Sequence, residues 1–271
     1  MAKVLVVTSG KGGVGKTTST AALGAALAQS GEKVVVVDFD VGLRNLDLVM
    51  GAERRVVFDL INVVQGVAKL SQALIRDKRL ENLWLLPASQ TRDKDALTNE
   101  GVERVIADLR SRFDWILCDS PAGIERGATL AMRYADEAVI VTNPEVSSVR
   151  DSDRIIGMLD SKTVKAEKGQ QVKKHVLITR YDSGRAARGE MLSIDDVLDI
   201  LATPLLGIIP ESQDVLRASN VGSPVTLNNA ASAPARAYID AARRLKGETV
   251  TMVVPVERKR LIQRLLGRRA A

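Results

Sequence analysis

Eight consecutive residues, Gly10, Lys11, Gly12, Gly13, Val14, Gly15, Lys16 and Thr17, carry the spacing G-x-x-x-x-G-K-[ST] of a phosphate-binding loop. The residue types follow from the chemistry. Glycines let the backbone take positive φ and turn its N–H groups onto phosphate oxygens, and a helix start adds its partial positive charge. Lys16 would sit on the β and γ phosphates, the Thr17 hydroxyl would ligate Mg2+, and Thr18 joins the nucleotide-binding set. Three acids extend the constellation. Asp38 and Asp40 close a valine run; a carboxylate there can order the Mg2+ water shell, position an attacking water, or simply cap the next segment. Asp119 ends the apolar run Trp115 to Cys118, placed to hold a metal directly or through water.

Strands and helices must deliver these groups. Val4 to Val7 reads as a buried strand and Thr17 to Ala28, rich in Ala and Leu, as a helix, so strand, glycine loop and helix come in the required order. Lys33 to Val37 forms a second strand that brings Asp38 and Asp40 to its carboxyl edge, where open parallel sheets bind ligands. Further strands are expected at 82–86, 115–118, 138–142, 176–179 and 205–209, with helices at 60–65, 100–111 and 233–245. Another helix is expected to start with Ser147 or Ser148 as its N-cap. The segments 87–95 and 161–174 are polar and read as loops. The pattern predicts an α/β fold of the P-loop NTPase kind: a mostly parallel sheet with helices on both faces, and a C-terminal amphipathic helix. Residues 1–246 are expected to form the nucleotide-binding P-loop domain, 247–255 a linker and 256–271 a tail.

Composition narrows the function classes. At 271 residues and 45% hydrophobic content the chain can bury one large core, built from aliphatic residues because aromatics are only 3%. Stacking on nucleic-acid bases is therefore not suggested. Cys118 is the single cysteine, which rules out an internal disulfide or a multi-cysteine metal site within one chain and fits a reducing cytosol. His175, the single histidine, precedes a strand and is expected at a surface or strand end. No hydrophobic run reaches the length of a bilayer span, and because the first residues read as entering a core strand, no signal peptide is expected. Net charge is +6, but the last sixteen positions hold six basic residues against one acid, so the body is nearly neutral and no specific nucleic-acid partner is expected.

The glycine loop, with its additional Lys11, resembles the K-G-G-x-G-K-[ST] loop of the ParA/MinD family of deviant Walker A ATPases. The strings D-F-D-V-G-L-R-N-L-D-L, C-D-S-P-A-G-I-E and N-P-E-V-S-S-V-R-D-S-D narrow the resemblance to the septum-site branch of that family over nearly the whole chain. The resemblance implies an ATP-dependent homodimer in which Lys11 reaches the partner's phosphates. It places Asp38 in the metal and phosphate environment, gives Asp40 the attacking water, and makes the segments after Asp40 and Asp119 switches. It implies Arg44, Asn45, Ser148, Asp151 and Asp153 at partner contacts, with the division inhibitor MinC and the activator MinE as partners. Arg180 and Pro210 fall where relatives contact the base, while Thr179 stands where the family usually shows asparagine. Turnover is expected to be slow, because no arginine finger is evident in cis. The implied location is the cytoplasm and the cytoplasmic face of the inner membrane.

The tail has a chemistry of its own. Leu261, Ile262, Leu265 and Leu266 gather on one face of a helix, flanked by Arg258, Lys259, Arg260 and Arg264. Such a helix can lie in an interface of anionic phospholipid; packing on the body or contact with DNA are the competing readings. Four large apolar residues give weak binding once ordering costs are met, so paired tails on a dimer would raise avidity by roughly 10² to 10⁴.

Overall fold

The computed structural model describes residues 2–90 and 96–255. Eight strands are present among them: β1 (Lys3–Thr8), β2 (Val34–Asp38), β3 (Ile75–Arg76), β4 (Leu83–Leu86), β5 (Trp115–Asp119), β6 (Glu137–Thr142), β7 (Lys173–Tyr181) and β8 (Leu205–Pro210). They form one sheet in the order β3-β4-β2-β5-β1-β6-β7-β8, parallel throughout except for the short antiparallel β3. The chain moves from β1 toward β2 and β4, returns to β5 beside β1, and then crosses to β6 on the other side. That reversal at β1 makes a crevice beyond its carboxyl end, which is where the glycine loop begins.

Every residue of Val4–Val7 and Val34–Val37 is fully buried. Alternation along these strands feeds two cores. Leu5, Val7, Val34 and Val36 pack with the helices Lys16–Gln29 and Ala233–Leu245 on one face. Val4, Val6, Val35 and Val37 pack with Asn99–Arg110 and Arg126–Arg133 on the other. A sheet buried on both faces explains why these strands read as continuous valine runs and not as alternating patterns. A third cluster joins Val149, Val176, Ile178, Val197 and Ile208 around the β7 and β8 margin.

Several local expectations change. The helix after β6 spans Val146–Leu159 with Glu145 as its N-cap residue, two or three residues earlier than a cap at Ser147 or Ser148 would set it. The polar segment 161–174 contains a helical turn, Val164–Glu167, capped by the Thr163 side chain, and its end already belongs to β7. His175 lies inside β7, buried, with Nε2 3.3 Å from Glu137 Oε2. A histidine between strands can be buried there because a carboxylate satisfies its ring nitrogen. Lys3 Nζ reaches the other oxygen of Glu137 at 3.2 Å. Although burial raises its pKa, hydrogen bonds from His175 and Lys3 and the charges of Lys3 and Lys173 bring Glu137 down to about 2. Positions 91–95 of the polar segment after β4 lie outside the described residues, as do all seven tail residues named for membrane contact, Arg258, Lys259, Leu261, Ile262, Arg264, Leu265 and Leu266. Among the described residues no helix is long and apolar enough to cross a membrane.

Candidate nucleotide site

The crevice is assembled from five strand ends. After β1, residues 9–15 form the loop and Gly15 sits at the N-cap of the helix Lys16–Gln29 with φ 95°, a conformation glycine adopts without Cβ strain. Ser9 Oγ donates to the Lys11 carbonyl at 2.7 Å and tightens the first turn. Gly10 has a different task. A Cβ built there would lie 2.3 Å from both C and O of Asp151, so the loop crosses the backbone of the helix Val146–Leu159 at a distance only glycine allows. The next residue follows the same helix: Lys11 Nζ is 3.0 Å from Glu145 Oε2 and 3.2 Å from Ser147 Oγ, with 41% of its side chain exposed.

Parallel pairing sets the acids side by side. Asp38 on β2 is in register with Asp119 on β5, and Asp119 with Val7 on β1. Both carboxyls are buried. Asp38 Oδ1 accepts the Asp40 N–H at 2.8 Å and Oδ2 the Leu46 N–H at 3.3 Å, so this acid also ties down the segment that follows it. Burial, and then the charge of Asp119, hold Asp38 well above the ordinary carboxyl range despite those bonds. Asp119 is pushed up to about 6 by burial, against hydrogen bonds from Thr17 and Thr20 and the charge of Lys16. Lys16 is itself buried, which lowers its pKa, while Asp119 and Asp40 raise it.

These residues fit a magnesium ion. Asp119 Oδ2 is buried and has no hydrogen-bond partner, and a divalent cation would relieve two carboxyls that burial disfavours as anions. Magnesium takes one or two protein oxygens and fills its octahedron with phosphate oxygens and water, so Thr17 with one carboxylate is a sufficient set.

The cleft runs from this centre in two directions. Toward the phosphates it is lined by Gly12, Gly13, Gly15, Lys16, Thr17 and Asp40, with Pro121 and Ala122 from the turn after β5. The Gly123 N–H donates to the Ser9 carbonyl at 3.1 Å, joining that turn to the loop. Toward the base it is lined by Val14, Thr18, Thr179, Arg180, Pro210 and Gln213, among others. Arg180 borders both parts and holds a positive φ of 52°. Thr179, which stands in the asparagine place, is buried, and its hydroxyl lies 2.7 Å from the Val14 carbonyl and 2.9 Å from Asn143 Oδ1. Its visible work is to pin the loop to β7.

The residues implied at partner contacts do not share one environment. Asn45 and Asp153 are exposed and Asp151 is half-buried. Arg44 turns inward, its Nε 2.7 Å from the buried Asp47 carboxylate, with 17% of the side chain exposed. Ser148 requires a correction: it is buried, 3.1 Å from the Thr142 hydroxyl and accepting the Asn143 N–H, so it faces the body and not a partner. Its place on the inward side of an amphipathic helix follows from Val149, Ser152 and Ile155, which are buried with it. Motif reading missed Thr20. Its hydroxyl lies 2.9 Å from Asp119 Oδ1, and although its spacing from Lys16 and Thr17 marks the same helix face, the acceptor is 99 residues away in sequence.

With this geometry the chain can be set beside known proteins. Residues 5–225 match the CobQ/CobB/MinD/ParA nucleotide binding domain. The septum site-determining protein MinD of Escherichia coli K12 is 61% identical over 270 residues, covering 98% of this chain and all of the relative. The chain belongs to the MinD family. Solved structures agree in fold. A MinC:MinD cell division protein complex from Aquifex aeolicus matches with TM-score 0.80 and 45% identity over 95% of this chain and 99% of that one. The septum site-determining protein MinD of Pyrococcus horikoshii, solved with Mg-ADP, matches with TM-score 0.79 and 34% identity over 90% and 96%.

Proposed function

We propose that this chain is an ATP- and Mg2+-dependent dimerising ATPase that acts in placing the bacterial division site. The observation that carries the ATPase reading is the meeting of Lys16, Thr17, Asp38, Asp40 and Asp119 at the carboxyl ends of β1, β2 and β5, in a cleft also lined by Gly12, Gly13 and Gly15 of the loop. The Mg-ADP found in the Pyrococcus relative supports the same cofactor here. The backbone of Gly12–Gly15 and Lys16 orient the β and γ phosphates, while Thr18, Val14, Arg180 and Pro210 border the nucleoside. Thr17 and Asp119 hold the metal, Asp38 its water shell, and Asp40 the attacking water. Bound there, Mg2+ supplies neutralisation of the phosphate charge during transfer.

Lys11 serves a second copy. Its partly exposed side chain, held by Glu145 and Ser147, supports a reach to the partner's phosphates when ATP closes the dimer. Family membership and the Aquifex complex support MinC as a partner of that dimer. MinE as the activator of hydrolysis, and Arg44, Asn45, Asp151 and Asp153 as contact residues, follow from the family resemblance. Residues 1–246 form the ATPase domain and 256–271 the targeting tail, whose leucines and arginines suit a surface of anionic phospholipid on the cytoplasmic face of the inner membrane. A partitioning ATPase that binds DNA, or a flagellar-number ATPase, is not favoured, because identity to the septum-determining relative extends over the whole chain.

Vesicle co-sedimentation tests the reading. The full chain is expected to sediment with anionic vesicles in ATP and not in ADP, and a chain ending at residue 255 to stay in solution with both. Binding that ignores either nucleotide or tail would refute the switch, and retention on DNA instead would favour the partitioning reading.

A further inference from the structure

Thr20 is fully buried one turn into the helix that follows the glycine loop. Its hydroxyl lies 2.9 Å from Asp119 Oδ1 and 3.1 Å from the Lys16 carbonyl. A hydroxyl has one proton to give, and a carboxylate oxygen that is both charged and nearer outcompetes a helix carbonyl. Thr20 stands three residues after Thr17, so both hydroxyls approach Asp119 from one side of the helix. What remains is Oδ2, buried and without a hydrogen-bond partner. A carboxyl group turns readily about its last torsion, which is broad and two-fold. A fixed donor to one oxygen removes that freedom and decides which oxygen stays available.

We propose that Thr20 is a positioning residue for the metal: by holding Asp119 Oδ1, its hydroxyl sets the plane of the carboxyl and presents Oδ2 to magnesium or its water shell. The assignment rests on the reading of Asp119 as the acid of the metal site. It enlarges the functional set beyond the loop motif, since Thr20 touches neither nucleotide nor metal and acts through Asp119. Packing alone does not require the hydroxyl, because a valine at this position keeps the shape.

The test is a magnesium titration of the full chain with N-methylanthraniloyl-ATP as the fluorescent probe. Thr20→Val is expected to raise the Mg2+ concentration for half-maximal tightening by roughly 10-fold, the scale of one hydrogen bond to a charged group. Probe affinity in EDTA should stay at the wild-type value, and Thr20→Ser should restore the wild-type midpoint. Should the valine variant not fold, Thr20→Ser and Thr20→Ala both lack the methyl and differ only in the hydroxyl; the alanine midpoint shifts and the serine midpoint does not. An unshifted midpoint in folded variants lacking the hydroxyl, equal losses with and without magnesium, or a serine variant as impaired as alanine would overturn the assignment and leave the metal site standing. A wild-type chain whose probe affinity ignores magnesium would overturn the metal-site reading and the role of Thr20 with it.

Discussion

Replacing Gly10 by alanine tests how closely the phosphate loop is fitted to the helix Val146–Leu159. The added Cβ would meet the Asp151 carbonyl carbon and oxygen at 2.3 Å, against an ordinary contact of about 3.4 Å, so the two backbones must part by about 1 Å. No side chain can swing away to absorb this. Overpacking of this kind costs about 1–3 kcal/mol, and at about 2–4 °C per kcal/mol for a domain of this size the melting temperature should fall by roughly 2–12 °C. The loop amides move with Gly10, so ATP affinity should drop by up to about 100-fold, the scale of a 1 Å misplacement in a preorganised site. Gly12→Ala is the control for stability: its Cβ would meet only Ala122 Cβ at 3.9 Å, an ordinary contact, and should leave the melting temperature of the nucleotide-free chain within about 2 °C. Differential scanning fluorimetry without nucleotide, followed by fluorescent-nucleotide titration, reads both effects. A Gly10→Ala chain that melts with the wild type, or a Gly12→Ala chain that loses as much, would refute the close-crossing argument.

Other expectations follow from the charged groups. Lys11→Ala should leave single-chain ATP binding and melting temperature nearly unchanged, because its partner Glu145 is half exposed and a surface pair contributes at most about 1 kcal/mol; hydrolysis stimulated by dimerisation should be lost, and undiminished stimulated turnover would remove Lys11 from the reaction. Glu137 titrates at about 2 in the fold against 4.5 ordinarily, so its contribution is fully present above pH 4.5 and is lost as the pH falls toward 2. Its size is at most about 3 kcal/mol at 1.36 kcal/mol per pH unit, and smaller because the Lys3 and Lys173 side chains are 42% and 61% exposed and solvent screens them; Glu137→Gln should flatten the urea-stability profile across that window. Asp119 has the opposite sign: with its pKa raised to about 6, its share of stability is present at low pH and is lost as pH rises through 6. Asp119→Asn should therefore raise the melting temperature of the magnesium-free chain at pH 8 while abolishing the effect of magnesium on ATP affinity; a destabilised variant at pH 8 would contradict the burial argument.

The sequence determined the parts of this protein that local physics controls. Val4–Val7, Val34–Val37 and Trp115–Cys118 could be read as buried strands because sheets covered on both faces need unbroken apolar runs, and the glycine loop could be read because phosphate geometry dictates its composition. Asp38, Asp40 and Asp119 were legible as acids at strand ends for the same reason. The closing helix Ala233–Leu245 has the bounds its pattern predicts, with Ser232 capping the Ala235 N–H. What the tertiary structure alone decided are relations between distant segments. The register that sets Asp38 against Asp119, the hydroxyl of Thr20 on Asp119, Thr179 against Val14 and Gly10 against Asp151 join residues 81, 99, 165 and 141 positions apart, and no local period encodes such pairings. The same holds for polar residues whose surroundings the pattern misplaces. Ser148 reads as an N-cap or partner contact and His175 as a surface or strand-end residue, and both are buried because Thr142 and Asn143 in one case and Glu137 in the other satisfy their hydrogen bonds inside the fold. A polar side chain goes where its bonds can be completed, and only the folded chain fixes where those partners lie.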